Sequence, residues 1–183
     1  MTTIYMVRHG ETDLNKQKVY FGWSDVPLNV AGEGQCQALR EKLDGIHFDA
    51  VITSPLKRTL RSAKIIHEKL ENLIICEELK ELNFGQWEGL HYTVIEKNYK
   101  EEWAGWSADW VNFCIPQGES FALLYQRVKA CFLKLLDRYR NQTILLVGHA
   151  GVLKIISLLI MDLPLDEYWN ISFEFGTYKV FAV

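Results

Sequence analysis

Residues 5–15 read YMVRHGETDLN, and the stretch changes character between Val7 and Arg8. Its start belongs to an apolar run, typical of a strand that is covered on both faces. Arg8, His9 and Gly10 follow directly, where the apolar run stops. In parallel sheets, ligands bind beyond the carboxyl ends of the strands. A cation next to an imidazole at such an end indicates a site for an anion.

Three apolar runs of this kind predict the sheet. They cover residues 3–9, 49–54 and 143–149, and a helical pattern follows each of them. Continuous apolar runs that alternate with helices predict an α/β fold with a mostly parallel sheet. The predicted helices span residues 31–44, 57–71, 119–140 and 151–161. Alternation around Gly176 in residues 171–183 predicts a closing pair of strands.

Residues 91–117 interrupt this pattern, because they are crowded with aromatic and charged side chains. The segment is long for a connection, and long connections in compact domains tend to carry function. We therefore expect a helical insertion or lid near 91–117. Trp103, Trp106 and Trp110 are spaced for one helical face, so they either pack in a core or line the mouth of a site.

The bulk properties are those of one globular domain, residues 1–183. A net charge of −3 gives no reason to expect nucleic acid or an anionic membrane as partner. Four widely spaced cysteines indicate reduced thiols. The longest apolar run, 152–161, is interrupted by Lys154 and is too short to span a bilayer. The N-terminus has no signal-peptide pattern, so we expect a cytoplasmic protein.

Polar residues at three predicted strand ends converge on one edge of the sheet. Arg8 and His9 follow the first strand, Arg58 lies just beyond the second, and His149 ends the third. Guanidinium groups present planar donor forks to phosphate oxygens, so phosphate is the expected ligand. A metal bound by His9 and His149 is a weaker alternative, because neither has a carboxylate or cysteine partner at ligand spacing and the arginines would repel a cation. We therefore expect no metal and no cofactor.

Five stretches resemble the histidine phosphatase superfamily, also called the phosphoglycerate-mutase-like family. They occur in order along nearly the whole chain: VRHGETDLN (7–15), GWSDVPLNVAGEGQ (22–35), TSPLKRTLRSA (53–63), ELKELNFGQWEG (78–89) and VGHAGVL (147–153). The resemblance implies a three-layer α/β/α fold with a mostly parallel mixed sheet of about six strands. Residues 103–121, 149–164 and 169–176 resemble the α-ribazole phosphatase branch of cobalamin synthesis.

The resemblance also implies a mechanism through a covalent phosphohistidine. His9 is the implied nucleophile and Glu81 the general acid, while Arg8, Arg58 and a protonated His149 stabilise the phosphoryl group. Asn15 matches a further phosphate-binding position. Ala150 stands where many members of the family carry glycine, and it keeps the backbone N–H that would bind phosphate. For substrate contacts we expect Gly22 beside the phosphate pocket and one or more of four tryptophans at the mouth, namely Trp87, Trp103, Trp106 and Trp110.

Three functions remain open on these grounds. The first is a phosphomonoesterase acting on a small phosphate ester, with α-ribazole 5′-phosphate or the adenosylcobalamin 5′-phosphate precursor as substrate, or with broader specificity. The second is a phosphoglycerate mutase; the family's mutases carry an arginine directly after the acid, where this chain has Leu82. The third is a non-catalytic regulatory module, which the complete residue set disfavours. A homodimer is compatible with each of them.

Overall fold

The apolar runs form the centre of a five-stranded sheet in the computed structural model, which describes residues 1–69 and 72–183. The strands are β1 (Thr3–Arg8), β2 (Ala50–Thr53), β3 (Leu73–Ile75), β4 (Thr143–Gly148) and β5 (Tyr178–Ala182). Their order is β3-β2-β4-β1-β5, with the first four parallel and β5 antiparallel to β1. The prediction of a mostly parallel sheet is confirmed, although the sheet has five strands rather than about six.

Seven α-helices accompany these strands within the described residues. They are α1 (Asp13–Lys16), α2 (Val30–Lys42), α3 (Lys57–Ile66), α4 (Tyr92–Asn98), α5 (Lys100–Ala108), α6 (Phe121–Arg138) and α7 (Ala150–Met161). Short 3-10 turns span Glu77–Leu79, Gly85–Trp87 and Leu165–Asn170. The end of the helix predicted over 57–71 falls on residues 70 and 71, outside the described residues. No helix in the described part of the chain has the length and apolar character needed to cross a membrane.

Two cores enclose the sheet and produce the three layers. On one face, Ile4 and Met6 pack with the apolar sides of α6 and α7. On the other face, Val7 packs with α2 and α3. Successive strand residues point to opposite faces, so a fully apolar strand serves both cores. This explains why β1 reads as one uninterrupted apolar run.

The insertion forms the third cluster. Helices α4 and α5 surround Trp87, which is 1% exposed, together with Ile95 and Ile115. Trp103 and Trp106 stack on each other in α5, with ring centroids 5.2 Å apart, and pack against Trp87. The prediction that Trp110 shares their helical face is wrong, because α5 ends at Ala108.

Only one strand forms in the C-terminal stretch where a pair was predicted. Residues 178–182 pair with β1, whereas residues 171–177 form no strand. The carbonyl of Phe173 instead accepts a hydrogen bond from Arg8 (3.1 Å), and the ring of Phe175 lies 4.0 Å from the Arg8 guanidinium carbon. The segment therefore leaves the sheet to cover the carboxyl end of β1.

Candidate active site

Three neighbouring strands bring the polar residues of the site together. β2, β4 and β1 are adjacent and parallel, so their carboxyl ends lie side by side. Arg8 is in register with Gly148, and the His9 amide donates to the Gly148 carbonyl at 2.9 Å. The His9 and His149 rings consequently lie with centroids 5.3 Å apart. The predicted convergence of these residues is present in the structure.

The imidazole of His9 is held in one neutral tautomer. Its Nδ1 lies 2.7 Å from the Gly10 carbonyl oxygen. A carbonyl only accepts, so Nδ1 carries the proton and Nε2 keeps its lone pair. Burial, followed by the charge of Arg58, lowers the pKa of His9 well below its ordinary value. Gly10 permits the backbone of Gly32 in α2 to approach closely, because a Cβ on Gly10 would lie 2.4 Å from the Gly32 carbonyl oxygen.

A relay of hydroxyl groups fixes the second imidazole. Thr59 Oγ1 lies within 3.1 Å of the Ser54 carbonyl and 2.9 Å of the Leu56 carbonyl, so its one proton goes to a carbonyl. Thr59 Oγ1 then accepts from Ser54 Oγ at 2.8 Å. Ser54 Oγ in turn accepts from Nε2 of His149, also at 2.8 Å. The neutral His149 therefore carries its proton on Nε2.

The remaining nitrogen of His149 is available to a ligand. Its Nδ1 is buried and has no hydrogen-bond partner among the described residues. Burial, followed by the charge of Arg58, lowers the pKa of His149 well below its ordinary value. The protonated His149 expected from the sequence therefore requires a bound anion, which would both stabilise the imidazolium and accept from Nδ1.

The two arginines differ in how tightly the protein holds them. Arg58 is 1% exposed and donates to the carbonyls of Ser24 (2.9 Å) and Gly22 (2.6 Å). Burial lowers its pKa to about 10, and burial also lowers the pKa of Arg8. The Nε atoms of both arginines are buried and without a partner among residues 1–69 and 72–183. Neither guanidinium forms an ion pair with a carboxylate in the described part of the chain. Unpaired cations of this kind are what an anion-binding site requires.

Gly22, expected to contact substrate, instead holds Arg58. Its carbonyl accepts from Arg58, and its amide donates to Glu88 Oε1 at 2.8 Å. The same carboxylate accepts from the amides of Trp23 and Ser24. Glu88 was missed from the sequence, although its place in the NFGQWEG stretch would have been a signal.

Glu81 is fixed at the edge of the site by two backbone amides. Its Oε1 accepts from Leu82 and its Oε2 from Gly151, each at 3.0 Å. A Cβ on Gly151 would lie only 2.4 Å from Oε1. The missing side chain of Gly151 therefore leaves room for the carboxyl of Glu81, the general-acid candidate. The sequence did not reveal this connection between the two residues.

Arg127 braces the segment that carries Glu81, and it was missed from the sequence. It donates to the carbonyls of Lys80 (2.7 Å) and Glu81 (2.9 Å), and its Nη2 lies 2.6 Å from Glu119 Oε1. The pattern around Glu119 indicated only a helix N-terminus. The spacing of eight residues between Glu119 and Arg127 gave no signal in the sequence. Their ion pair depends on how the segment before α6 folds back along the helix.

Asn15 and Ala150 line the cavity beside these groups. Asn15 Oδ1 accepts from the Thr12 amide and hydroxyl, each at 3.0 Å, in the capping box of α1. The carboxamide nitrogen of Asn15 is thus the group that can donate to an anion. Ala150 begins α7, so its amide belongs to a helix N-terminus that favours negative charge.

The polar residues described above form the floor of the site, namely Arg8, His9, Asn15, Arg58, Glu81, His149 and Ala150. A cavity of about 410 Å³ opens beside this floor and is lined there by Arg8, Asn15, Glu81 and Ala150. Its wall contains ten aromatic side chains, namely Tyr20, Phe21, Phe84, Trp87, Trp106, Trp110, Phe113, Phe121, Tyr168 and Trp169. Three of the four predicted tryptophans are therefore present, whereas Trp103 lies behind Trp106 and does not line the cavity. Trp169 and Lys154 were missed as wall residues. A volume of this size suits a small organic ligand.

The floor and the wall together define a phosphoryl-transfer site for a small ester. Residues 4–182 match the family model of the histidine phosphatase superfamily (branch 1), and the chain belongs to this superfamily. The protein is a phosphatase.

Individual relatives and solved structures are similar over nearly the whole chain. The adenosylcobalamin/α-ribazole phosphatase of Salmonella typhimurium (strain LT2) is 32% identical over 98% of this chain and 90% of its own length. The crystal structure of the α-ribazole phosphatase from Shigella flexneri superposes with a TM-score of 0.91 at 31% identity, covering 97% of this chain and 89% of that one. A Klebsiella pneumoniae protein that carries a phosphoglycerate mutase name is 36% identical over 90% of this chain and 77% of its own length.

Proposed function

We propose that the protein hydrolyses α-ribazole 5′-phosphate, or the adenosylcobalamin 5′-phosphate precursor, through a phosphohistidine on His9. The observation that carries the chemistry is the Nε2 of a buried, neutral His9, which has no hydrogen-bond partner among the described residues. The Nε atoms of Arg8 and Arg58 likewise have no partner there. The observation that supports the substrate is the aromatic wall above it. Flat rings stack favourably on aromatic side chains, and α-ribazole carries a flat benzimidazole ring.

In the first step, Nε2 of His9 attacks phosphorus and the P–O bond to the alcohol breaks. Arg8, Arg58 and His149 stabilise the negative charge on the transferring phosphoryl oxygens. Glu81 gives a proton to the departing alkoxide, which leaves as the alcohol. The two amides that hold the Glu81 carboxyl keep it in place for this transfer.

In the second step, water attacks the phosphorus of the phosphohistidine. The Glu81 carboxylate accepts a proton from this water while the P–N bond breaks and its electron pair returns to Nε2. Inorganic phosphate then leaves. The Nδ1 proton stays hydrogen-bonded to the Gly10 carbonyl throughout, so His9 regains the tautomer with which it began.

A substrate panel tests this assignment. It consists of α-ribazole 5′-phosphate, phosphoserine, phenyl phosphate, and 3-phosphoglycerate with its bisphosphate primer. We expect the highest kcat/KM for α-ribazole 5′-phosphate and hydrolysis rather than isomerisation of 3-phosphoglycerate. Net isomerisation would favour the mutase, and a kcat/KM for phosphoserine above that for α-ribazole 5′-phosphate would overturn the substrate assignment.

A pair of tryptophan variants tests the stacking role of the wall. Trp106 lines the cavity, whereas Trp103 lies in the same helix and does not. Loss of one stacking contact costs about 1–3 kcal/mol, so Trp106→Leu should raise KM for α-ribazole 5′-phosphate by about tenfold. Trp103→Leu should change it much less. Equal effects of Trp106→Leu on this substrate and on phosphoserine would remove the stacking argument.

A cytoplasmic location and a homodimeric state stay predictions. Sedimentation velocity of the purified chain would measure the oligomeric state directly. Fractionation of the source cells, with the native protein detected by antibody, would measure the location.

A further inference from the structure

Lys154 places a half-buried ammonium group on the wall of the cavity. Its Nζ lies 4.8 Å from the ring centre of Tyr168 and 5.7 Å from that of Trp169. Burial lowers the pKa of Lys154, the charge of Arg8 acts in the same direction, and the charge of Glu81 opposes both. In the sequence this lysine only interrupts an apolar run, and nothing there marks it as a wall residue.

Each of the other charged side chains of the cavity wall has at least one partner among the described residues. Glu119 is paired with Arg127 at 2.6 Å, and Glu81 accepts from two backbone amides. Arg8 donates to the Phe173 carbonyl at 3.1 Å. Lys154, in contrast, forms no hydrogen bond or ion pair with any residue in the two described ranges. Its Nζ faces the rings of Tyr168 and Trp169, and it forms no hydrogen bond to the Tyr168 hydroxyl in the described structure, so its N–H donors stay available.

The location of Lys154 indicates which part of a substrate it meets. It follows Gly151 by three residues in α7, about 4.5 Å along the helix axis. The Gly151 amide holds Glu81, whose proton goes to the ester oxygen in the proposed mechanism. Lys154 thus lies beyond the ester oxygen, beside Tyr168 and Trp169. The alcohol moiety of the ester occupies this part of the cavity, whereas the phosphoryl group occupies the floor.

We propose that Lys154 is a specificity-determining residue, which donates a hydrogen bond to an oxygen acceptor on the alcohol moiety of the substrate. This inference rests on the proposed hydrolysis at His9. The preferred substrates are then phosphate monoesters that combine a flat ring, for the aromatic wall, with a hydroxyl or carboxylate oxygen within a few bonds of the ester. A ribosyl ester supplies hydroxyl oxygens, and an ester of an acidic alcohol supplies a carboxylate.

Two substitutions separate the charge from the packing of the side chain. Lys154→Met keeps most of the stem that packs on Tyr168 and removes the ammonium, whereas Lys154→Arg keeps a charged donor. Lys129→Met, at an exposed position of α6, is the matched control. Each variant is assayed with α-ribazole 5′-phosphate, with phosphoserine, and with phenyl phosphate, whose alcohol moiety offers no acceptor besides the ester oxygen.

We expect Lys154→Met to raise KM for an acceptor-bearing ester by about tenfold relative to phenyl phosphate, which corresponds to about 1.4 kcal/mol. In Lys154→Arg, the ratio of KM for the acceptor-bearing ester to KM for phenyl phosphate should stay close to the wild-type value. In Lys129→Met, the same ratio should be unchanged. A larger effect on the ribosyl ester identifies a hydroxyl acceptor. A larger effect on phosphoserine, weakened by salt, identifies a carboxylate. An unchanged ratio, or an equal rise of KM for phenyl phosphate, would overturn the inference.

Binding measurements keep this test independent of turnover. Calorimetric Kd values for the same esters are compared between the single variant His9→Ala and the double variant that also carries Lys154→Met. The double variant should bind acceptor-bearing esters about tenfold more weakly relative to phenyl phosphate. A wild-type protein that hydrolyses none of the esters would refute the proposed function. A wild-type protein that hydrolyses them while Lys154→Met leaves both the KM and Kd ratios unchanged would refute the role of Lys154 alone.

Discussion

Gly151→Ala should disable Glu81, the proposed general acid, while it leaves the fold intact. The added Cβ would lie 2.4 Å from Glu81 Oε1, where ordinary contacts begin at 3.4 Å, so the carboxyl must shift by about 1 Å. The shift also breaks the 3.0 Å hydrogen bond from the Gly151 amide to Oε2. A misplacement of about 1 Å costs on the order of 100-fold in rate, or about 2.7 kcal/mol of transition-state stabilisation.

The substrate dependence of the loss separates a misplaced acid from a damaged phosphate site. The measurement is kcat/KM for an alkyl phosphate and for p-nitrophenyl phosphate, whose leaving group departs without a proton. We expect the full loss for the alkyl ester and a much smaller one for the aryl ester. Alanine also raises helix propensity by up to about 1 kcal/mol, so the Tm should not fall by more than a few degrees.

Gly34→Ala is the matched control. Gly34 also lies in a helix, and a Cβ there would meet nothing within 4 Å. This variant should keep wild-type kcat/KM for both esters. Full activity of Gly151→Ala on the alkyl ester, or an equal loss on both esters, would refute the reasoning that Gly151 exists to admit the Glu81 carboxyl.

Three further predictions concern the cationic floor. Burial lowers the pKa of both His9 and His149, so the unfolded chain binds more protons than the folded protein below pH 6.5, and the free energy of unfolding decreases as pH falls. Between pH 7.5 and 5.5 this loss is about 1.4 kcal/mol for each imidazole. The Tm measured by calorimetry should therefore fall by about 5–10 °C, and by less with inorganic phosphate present. A constant Tm would contradict this. Ser54→Ala removes the acceptor that fixes Nε2 of His149, so kcat/KM should fall by about tenfold in steady-state assays, and wild-type kinetics would contradict the relay. Arg58→Met removes a charge that lowers the pKa of His9, so the acid limb of the pH profile should move to higher pH, whereas Arg58→Lys should leave it in place.

The apolar runs predicted the central strands because β1, β2 and β4 are buried on both faces and carry no polar interruptions. β3 was missed for the opposite reason, since Leu73–Ile75 is three residues long and partly exposed at the edge of the sheet. The alternation pattern of residues 171–177 predicted a strand that does not form. An alternation pattern does not reveal that the Phe173 carbonyl accepts a hydrogen bond from Arg8 instead of one from a neighbouring strand.

The residues that lie together at the carboxyl ends of the strands were accessible to sequence reasoning because strand ends and local motifs mark them. The bracing contacts were not, because they join distant parts of the chain. Glu88 holds the amides of residues 22–24 across 64 to 66 positions, and Arg127 holds the Glu81 carbonyl across 46. The charge state of His149 also needed the structure, since burial and the charge of Arg58 decide it.

Trapping the phosphoryl group on His9 tests the central claim most directly. The protein is mixed with α-ribazole 5′-phosphate carrying radiolabelled phosphorus, quenched within the first turnover in alkali, where phosphohistidine survives, and mapped by peptide mass spectrometry. One phosphoryl group on His9, absent from His9→Ala and released in acid, is the predicted result. Label on another residue, or hydrolysis at the wild-type rate by His9→Ala, would contradict the account.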